Sequence, residues 1–148
     1  MKVKFKITGE KELFKKLSQF GDDGLKTIAK TTELIAQEVK TEALINISKN
    51  NIGYELSKEI GDIQVLNEGS PYQYSVNVTG VPMAAYIEFG TGAFIQIAPE
   101  WKDLAWSFYV NGKGMLHAKP YFYPAWRKVT PRYKKDLEKE LEKLTKKF

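Results

Sequence analysis

The sequence contains no cysteine and only one histidine, His117. Without cysteine the chain has no disulfide framework, no thiol nucleophile and no thiolate metal site, and one histidine excludes a metal site built from several histidines of one chain. No run of about 18 apolar residues occurs, so no helix is predicted to span a membrane. The first residues, "MKVKFKITGEKELF", lack the continuous apolar core of a secretory signal. The protein is therefore expected to stay in the cytoplasm where it is made.

The net charge of +5 is concentrated at one end of the chain. Residues 119–148 hold ten Lys/Arg and four Asp/Glu, whereas residues 1–118 have a net charge of −1. Such a basic segment suits a polyanionic partner, but a solvated amphipathic helix also explains it. With 148 residues, 43% of them hydrophobic, the chain is predicted to form one domain over 1–148, with 119–148 as its basic helical segment.

Periodicity predicts a strand and two helices in the first third of the chain. "KVKFKIT" alternates apolar residues and lysines, which is typical of a half-buried strand at a sheet edge. "EKELFKKLSQFG" predicts a short helix that stops at Gly21. A helix of about six turns should then run to about Ser48, capped by Asp22 or Asp23. Its core-packed stripe consists of Leu25, Ile28, Ala29, Ile35, Ala36, Val39, Ala43, Leu44 and Ile47, with Thr32 as the one polar step.

The middle of the chain predicts a small sheet. "SKNNIGYELSKEIG" is predicted as a loop with at most one helical turn at Leu56–Ile60. "DIQVL" and "YQYSVNV" read as strands, and "NEGSP" between them is a turn, so an antiparallel pair is predicted. "MAAYIEF" is almost wholly apolar and is predicted as a third, central strand that ends at "GTG". Glu88 would stand at the end of that strand.

The following segment, "PEWKDLAWSFYVNGKG", fits two structures. A helix would start at Pro99 and stop at Gly112 or Gly114, whereas the alternative makes "SFYV" a strand that turns at Asn111; the helix is preferred. "MLHAKPYFYP" is predicted to be extended, because residues before proline avoid the helical region.

A last helix should run from Pro124, with a kink or break near Thr130 because Pro131 lacks a backbone donor. Its candidate DNA-facing line comprises Arg132, Lys135, Lys139 and Lys143. The elements together predict an α+β domain, in which a long helix from the N-terminal half and a C-terminal amphipathic helix pack on a small antiparallel sheet.

The sequence gives little support for an enzymatic function. "GTGAF" has neither the spacing nor the lysine of a phosphate-binding loop. His117 has no nucleophile signature nearby, and nothing in the spacing selects Glu100 or Asp103 as a carboxylate partner for Glu88. The protein is expected not to be an enzyme.

Nucleic-acid binding is a second possibility. Aromatic residues alternate with basic ones in the last thirty residues, where they suit base stacking and phosphate neutralisation. The aromatic residues are Tyr121, Phe122, Tyr123, Trp126 and Tyr133. No helix-turn-helix, finger or RNP signature accompanies them.

Two motifs in sequence resemble the tail-completion, or head–tail joining, family of tailed bacteriophages and prophages. The first is "YIEFGTG" and the second, about thirty residues later, is "KPYFYPAW". The motif residues are Tyr86, Ile87, Glu88, Phe89, Gly90, Thr91, Gly92, Pro120, Tyr121, Phe122, Tyr123, Pro124 and Ala125. Tyr121 stands where phenylalanine is more usual in the family. The long helix before the sheet and the insert before the second motif add to the resemblance, which covers most of the chain.

The resemblance implies a non-enzymatic virion protein of the neck or tail, assembled in the host cytoplasm. Such subunits form rings, often hexamers, between the head connector or stopper and the tail terminator or tube, and non-specific contact with DNA in the channel is possible. No cofactor, metal or membrane is expected. Aromatic residues that suit a ring interface are Phe94, Trp101, Trp106, Phe108 and Tyr109; packing inside the subunit's own core is the alternative.

Glu88 is given a structural role in this interpretation, since a carboxylate buried without a partner is costly. The hypothesis is that it accepts hydrogen bonds from the backbone of the Gly-Thr-Gly turn or pairs with a basic residue such as Arg127. Gly90 and Gly92 would permit a positive φ or a close backbone approach there.

Overall fold

A computed structural model describes residues 2–5, 11–69, 73–81, 83–90 and 117–147 of the chain. The fold is α+β, as predicted. The described helices are α1 (Lys11–Ser18), α2 (Asp22–Lys49), α3 (Tyr54–Ile60), α4 (Met83–Phe89), α5 (Phe122–Val129) and α6 (Tyr133–Lys147). None of them is both long enough and apolar enough to cross a bilayer.

The described strands form one antiparallel sheet of three strands. They are β1 (Lys2–Phe5), β2 (Ile63–Asn67) and β3 (Tyr74–Val78), in the order β1-β3-β2. The antiparallel pairing of β2 with β3 confirms the predicted hairpin, and Val65 lies opposite Val76 in its register. The central position belongs to β3, whose Val76 is fully buried.

The segment predicted as the central strand is a helix, so that prediction was wrong. "MAAYIEF" forms the two turns of α4. Five of its seven residues are buried, which explains the continuous apolar run. A short helix that is covered on most sides has the same apolar pattern as a central strand.

The long helix α2 is present as predicted, with two differences at its surface. Gly21 occupies the N-cap position without a side-chain cap, so the prediction that Asp22 or Asp23 caps the helix was wrong; both lie in its first turn. There their negative charge favours the helix dipole. Of the predicted core stripe, Leu25 and Leu44 are exposed.

Thr32, the one polar residue in the apolar stripe of α2, forms hydrogen bonds inside the core. Thr32 is buried, and its hydroxyl donates to the carbonyl oxygen of Ile28 at 2.7 Å. The same hydroxyl oxygen lies 2.7 Å from the hydroxyl of Tyr133 on α6. This contact accounts for a threonine in an otherwise apolar row, because a buried hydroxyl requires a partner.

Glycine permits the close approach of α1 to α2. A Cβ atom on Gly24 would lie 1.6 Å from the carbonyl oxygen of Leu17, and Leu17 itself is fully buried. The loop predicted at 48–61 is shorter than expected, because α3 occupies Tyr54–Ile60 as two helical turns.

The C-terminal helical segment breaks where predicted. Its first helix, α5, ends at Val129, a 3-10 turn covers Thr130–Arg132 with Pro131 inside it, and α6 continues the chain. Residues 117–121 before it form neither helix nor strand. Both α5 and α6 pack on α2, which in turn packs on the sheet. The core that joins these layers includes Ile28, Ile35, Val39, Ala43, Val76, Val78, Phe122, Ala125, Val129 and Leu137.

Candidate functional site

The two motifs meet at the carboxylate of Glu88, near the end of α4. Glu88 is only 3% exposed. One oxygen, Oε2, accepts hydrogen bonds from the backbone N–H groups of Tyr121 and Phe122 at 2.8 Å each. The other, Oε1, accepts one from the N–H of Tyr123 at 2.9 Å. We call this arrangement the Glu88 junction.

The three donors are the N–H groups at the start of α5. The first N–H groups of a helix have no partner within it, and the helix dipole places partial positive charge there. Tyr121, at the N-cap position, forms no side-chain cap. Glu88 therefore caps α5 from a different element, and no basic side chain among the described residues forms an ion pair with it.

Of the donors predicted for Glu88, neither the N–H of Gly90 nor the side chain of Arg127 bonds to its carboxylate. The N–H of Gly90 donates to the carbonyl oxygen of Tyr86 at 2.7 Å instead, and Thr91 and Gly92 lie outside the described residues. Arg127 donates from Nε to the carbonyl oxygen of Tyr123 at 3.4 Å, so it serves its own helix. Gly90 has the predicted positive φ, of 75°, and follows α4 in the manner of a helix-terminating glycine.

Two further hydrogen bonds join α4 to the segment that follows His117. The N–H of Lys119 donates to the carbonyl oxygen of Ile87 at 2.8 Å. The hydroxyl of Tyr121 donates to the carbonyl oxygen of Ala84 at 3.1 Å. Carbonyl oxygens in the last turn of a helix have no partner inside it, so the Lys119 contact satisfies one such group of α4. Together the two contacts fix the second motif against α4.

The C-terminal end of α2 holds the opposite side of the same segment. Asn46 donates from its side-chain amide to the carbonyl oxygen of Tyr121 at 3.0 Å, and Asn50 donates to that of Pro120. Nζ of Lys119 donates to the carbonyl oxygen of Asn51 at 3.0 Å. Residues 119–123 are thus fixed between α2 and α4 through their backbone.

The contacts of Asn46 and Asn50 with the second motif were not predicted from the sequence. The available signal was their spacing of four residues on one helix, which places two amide side chains on the same face near its end. Asparagine is a poor helix former, so one in the last turn of α2 and one directly after it suggest a contact outside the helix.

The remaining motif residues surround the junction in two layers. Tyr86, Phe122 and Ala125 are buried. Phe89 is 46% exposed, and its ring lies 5.4 Å from that of Tyr123 between centroids. Pro120 is exposed and Pro124 is partly exposed. Part of the motif therefore supports the core and part reaches the surface.

Burial governs the electrostatics of Tyr121. Removal from water, and secondarily the negative charge of Glu88, raise the pKa of the Tyr121 hydroxyl well above its ordinary value of 10.0. Both effects disfavour the phenolate. The hydroxyl therefore remains a donor to Ala84 throughout the physiological pH range.

The predicted DNA-facing line divides into two pairs of residues. Arg132 forms an ion pair with Glu38 on α2, and Lys143 pairs with Glu140 at 2.8 Å. Lys135 and Lys139 are exposed and have no ion pair within the described ranges 2–5, 11–69, 73–81, 83–90 and 117–147. Half of the line is thus partly neutralised by the protein itself.

A second ion pair lies between α2 and α5. Nζ of Lys128 lies 2.7 Å from Oε1 of Glu42. The hydrogen bond from Lys128 is the main reason why the pKa of Glu42 is lowered. The basic C-terminal segment therefore uses part of its charge to dock on acidic residues of the long helix.

Several sequence candidates are not placed by the structure. Glu100, Asp103 and the aromatic residues proposed for an interface (Phe94, Trp101, Trp106, Phe108 and Tyr109) lie outside the described residues, as does the segment "PEWKDLAWSFYVNGKG". His117 is exposed. Within the described part of the chain, no group of three or more His, Asp or Glu side chains is arranged to hold a metal ion.

Comparison with known proteins gives no relative: no family model, no curated protein and no solved structure matches the chain.

Proposed function

We propose that this chain is a structural protein of the phage or prophage head–tail junction, a tail-completion or neck ring subunit that joins the tail to the DNA-filled head. The observation that carries the proposal is the Glu88 junction. The two motifs of the resemblance stand 33 residues apart between Glu88 and Tyr121, yet three hydrogen bonds unite them. Their pairing in sequence thus has a physical reason in this chain.

The chemistry of the junction favours a scaffold over a catalyst. Both carboxylate oxygens of Glu88 already accept backbone hydrogen bonds, and the side chain is shielded from solvent. Catalytic acids must reach a substrate, whereas a buried helix cap stabilises one conformation. In the proposed function the junction holds the C-terminal helices in a fixed orientation for assembly, with no cofactor.

The described surface also suits a protein that becomes covered in an assembly. Large apolar side chains that are exposed include Leu34, Leu44, Ile45, Tyr54, Val81 and Phe89. Apolar and aromatic groups of this kind contribute most to protein interfaces. The proposed assembly in the virion is a homo-oligomeric ring such as a hexamer, with the connector or stopper on one side and the terminator or tube on the other.

The test uses a phage or prophage that encodes this chain, with its gene deleted. We expect electron micrographs of the lysate to show DNA-filled heads and separate tails, and a plasmid copy of the gene to restore joined particles. Mass spectrometry of purified wild-type virions should detect the protein. Infectious, joined particles in the deletion strain, or virions without the protein, would refute the proposal.

A nucleic-acid-binding accessory protein is the second candidate, and it is favoured by the exposed Lys135 and Lys139. These lysines are available to phosphates, whereas Arg132 is paired with Glu38. If this function holds, the purified protein retards duplex DNA at about 50 mM salt, and reversal of both lysines to glutamate weakens binding and its salt dependence. Absence of binding at that salt concentration would exclude it.

A further inference from the structure

A groove runs along the outer edge of β2. In the order β1-β3-β2, no described strand lies beyond β2. The groove measures about 600 Å³ and is lined by Gln37, Lys40 and Leu44 of α2 and by residues 61–66. Leu44 and Leu66 are exposed there, at 49% and 37%. A strand edge beside an open, partly apolar groove is the geometry at which sheets accept an added strand.

The hydrogen bonds of the hairpin fix which backbone groups of β2 face the groove. The N–H of Thr79 donates to the carbonyl oxygen of Asp62 at 3.0 Å, and that of Glu68 donates to Gln73 at 2.9 Å. Because bonded residues alternate along an antiparallel pair, the even positions 62–68 face β3. The N–H and C=O groups of residues 63, 65 and 67 therefore point away from β3, toward the groove.

The same alternation fixes the outer edge of β1. Residues 74, 76 and 78 of β3 are directed away from β2, and the register places Phe5 opposite Tyr74 and Val3 opposite Val76. The backbone groups of Val3 and Phe5 thus face β3, and those of Lys2 and Lys4 face outward. Among the described strands, the sheet has two edges with opposite chemistry. In β1 lysines alternate with apolar residues, and lysine discourages self-pairing of edges, while "IQVLN" of β2 carries no charge.

Charge selects the partner strand for β2. Two copies of β2 paired antiparallel about Val65 would bring Asp62 of each copy opposite Glu68 of the other, and like charges in cross-strand positions are unfavourable. The lysine-bearing β1 offers the opposite sign to Asp62. Complementarity therefore favours a β1 edge over a second β2 edge.

We propose that β1 of a second copy of this chain adds to the β2 edge as a parallel strand. The proposal rests on the proposed role as a ring subunit and names the contact between subunits. In a parallel pair, a residue whose backbone faces the neighbouring strand bonds to two residues of that strand, one on each side of the residue directly opposite. Lys4 of one copy then bonds through its backbone to Ile63 and Val65 of the next, and Lys2 stands in register with Asp62.

This pairing has the symmetry that a ring requires. Parallel addition keeps α2 of both copies on the same side of the continued sheet. The residues of β1 whose backbone faces outward (2 and 4) and those of β2 (63, 65 and 67) occupy opposite faces of the sheet, which is what a parallel pair requires. The contact joins two different edges, so each subunit keeps one edge of each kind for the next neighbour. Such a heterologous contact closes into a ring when the rotation between copies fits.

The test measures self-association of the full-length protein by light scattering and sedimentation up to about 1 mM. We expect an oligomer that dissociates on dilution, and Asp62→Lys or Lys2→Glu should each raise its dissociation constant about fivefold, as expected for cross-strand charge pairs. The double variant Lys2→Glu, Asp62→Lys restores the opposite charges and should recover most of the affinity. Glu138→Lys, an exposed reversal on α6, is the matched control.

A backbone variant tests the same edge without charge. Val65→Pro removes an N–H that points away from β3, so it should weaken association by tenfold or more, roughly the value of one or two lost hydrogen bonds. Should that variant fail to fold, as judged by circular dichroism, the charge series decides. A wild-type protein that stays monomeric, edge variants that associate like Glu138→Lys, or a double variant no tighter than the single ones would each overturn the inference. The gene-deletion phenotype does not depend on these results, so the proposed function can survive them.

Discussion

Of the carboxylates that attach the C-terminal helices to the rest of the protein, Glu88 and Glu38 have opposite surroundings. Glu88 is buried and is held by three backbone N–H groups of residues 121–123. Glu38 on α2 is half exposed and is paired with the guanidinium of Arg132, which is also half exposed. One contact is made inside the protein to fixed donors, and the other is made in water between two flexible side chains.

The difference shows which of the two contacts holds the second motif in place. Removing Glu88 leaves the buried N–H groups of Tyr121 and Phe122 and the partly buried N–H of Tyr123 without an acceptor. Each buried group without a partner carries a desolvation penalty of about 1–3 kcal/mol. Removing Glu38 leaves the guanidinium of Arg132 hydrated by water. Exposed ion pairs of this kind therefore contribute only about 0–1 kcal/mol. Stability should therefore depend strongly on the buried junction and weakly on the exposed ion pair.

The largest expected effect is that of Glu88→Ala. We expect it to lower the free energy of unfolding by about 3 kcal/mol or more, because α5 loses its cap and its first N–H groups remain buried. Glu88→Gln keeps the shape but turns an amide NH2 toward a donor, and it should lower the same free energy by about 2 kcal/mol. Urea denaturation followed by circular dichroism measures both.

Glu38→Ala is the matched control for that experiment, with an expected loss below about 1 kcal/mol. Equal losses for Glu88→Ala and Glu38→Ala would contradict the comparison. A Glu88→Gln variant as stable as the wild type would show that the carboxylate charge has no part in capping α5.

The predicted elements that proved correct are those with a clear local period. Alternation identified β2 and β3, and spacing of three and four identified α2. The break near Thr130 followed from the missing donor of Pro131. Each of these signals is local in the sequence and needs no knowledge of distant residues.

The failure at "MAAYIEF" has a physical cause. A seven-residue apolar run covered on most sides shows no period that separates a helix from a central strand. Composition held a signal, because Met, Ala and Glu are good helix formers and Ile87 is the one β-branched residue in the run. Gly90 held another, since a glycine with positive φ commonly follows a helix.

The role of Glu88 was predictable only in part. A lone carboxylate in an apolar segment indicates hydrogen-bond donors nearby, and that expectation was correct. Its donors lie more than thirty residues further along the chain, and local sequence does not indicate such a contact. The motif pair "YIEFG" and "KPYFYP" indicated that the two segments belong together but did not give the atoms that join them.

An intermediate effect is expected at Tyr121, whose hydroxyl makes a further hydrogen bond between α4 and the second motif. Tyr121→Phe removes the hydrogen bond to Ala84 and should lower the free energy of unfolding by about 1 kcal/mol at about pH 8. The pKa of Tyr121 is raised in the folded protein. Above the ordinary tyrosine pKa of 10.0 the unfolded chain loses this proton first, so the stability that the hydroxyl contributes is fully present below that pH and falls as pH rises.

The difference between the wild type and Tyr121→Phe should therefore shrink between about pH 10 and pH 11. Urea denaturation at a series of pH values measures it. A difference that stays constant or grows over this range would mean that the Tyr121 hydroxyl is not buried as a neutral donor.

The smallest expected effect is that of the surface pair, and it tests the other side of the comparison. In a double-mutant cycle of Glu38→Gln and Arg132→Gln, we expect a coupling free energy of about 0.5 kcal/mol or less, because both groups are hydrated before and after they separate. That coupling should fall toward zero at about 1 M salt, where the Debye length is about 3 Å, while the loss in Glu88→Gln should hardly change, since its buried contacts are screened far less. A coupling above about 2 kcal/mol, or one that persists in salt, would mean that the exposed pair holds the C-terminal helices as firmly as the Glu88 junction does.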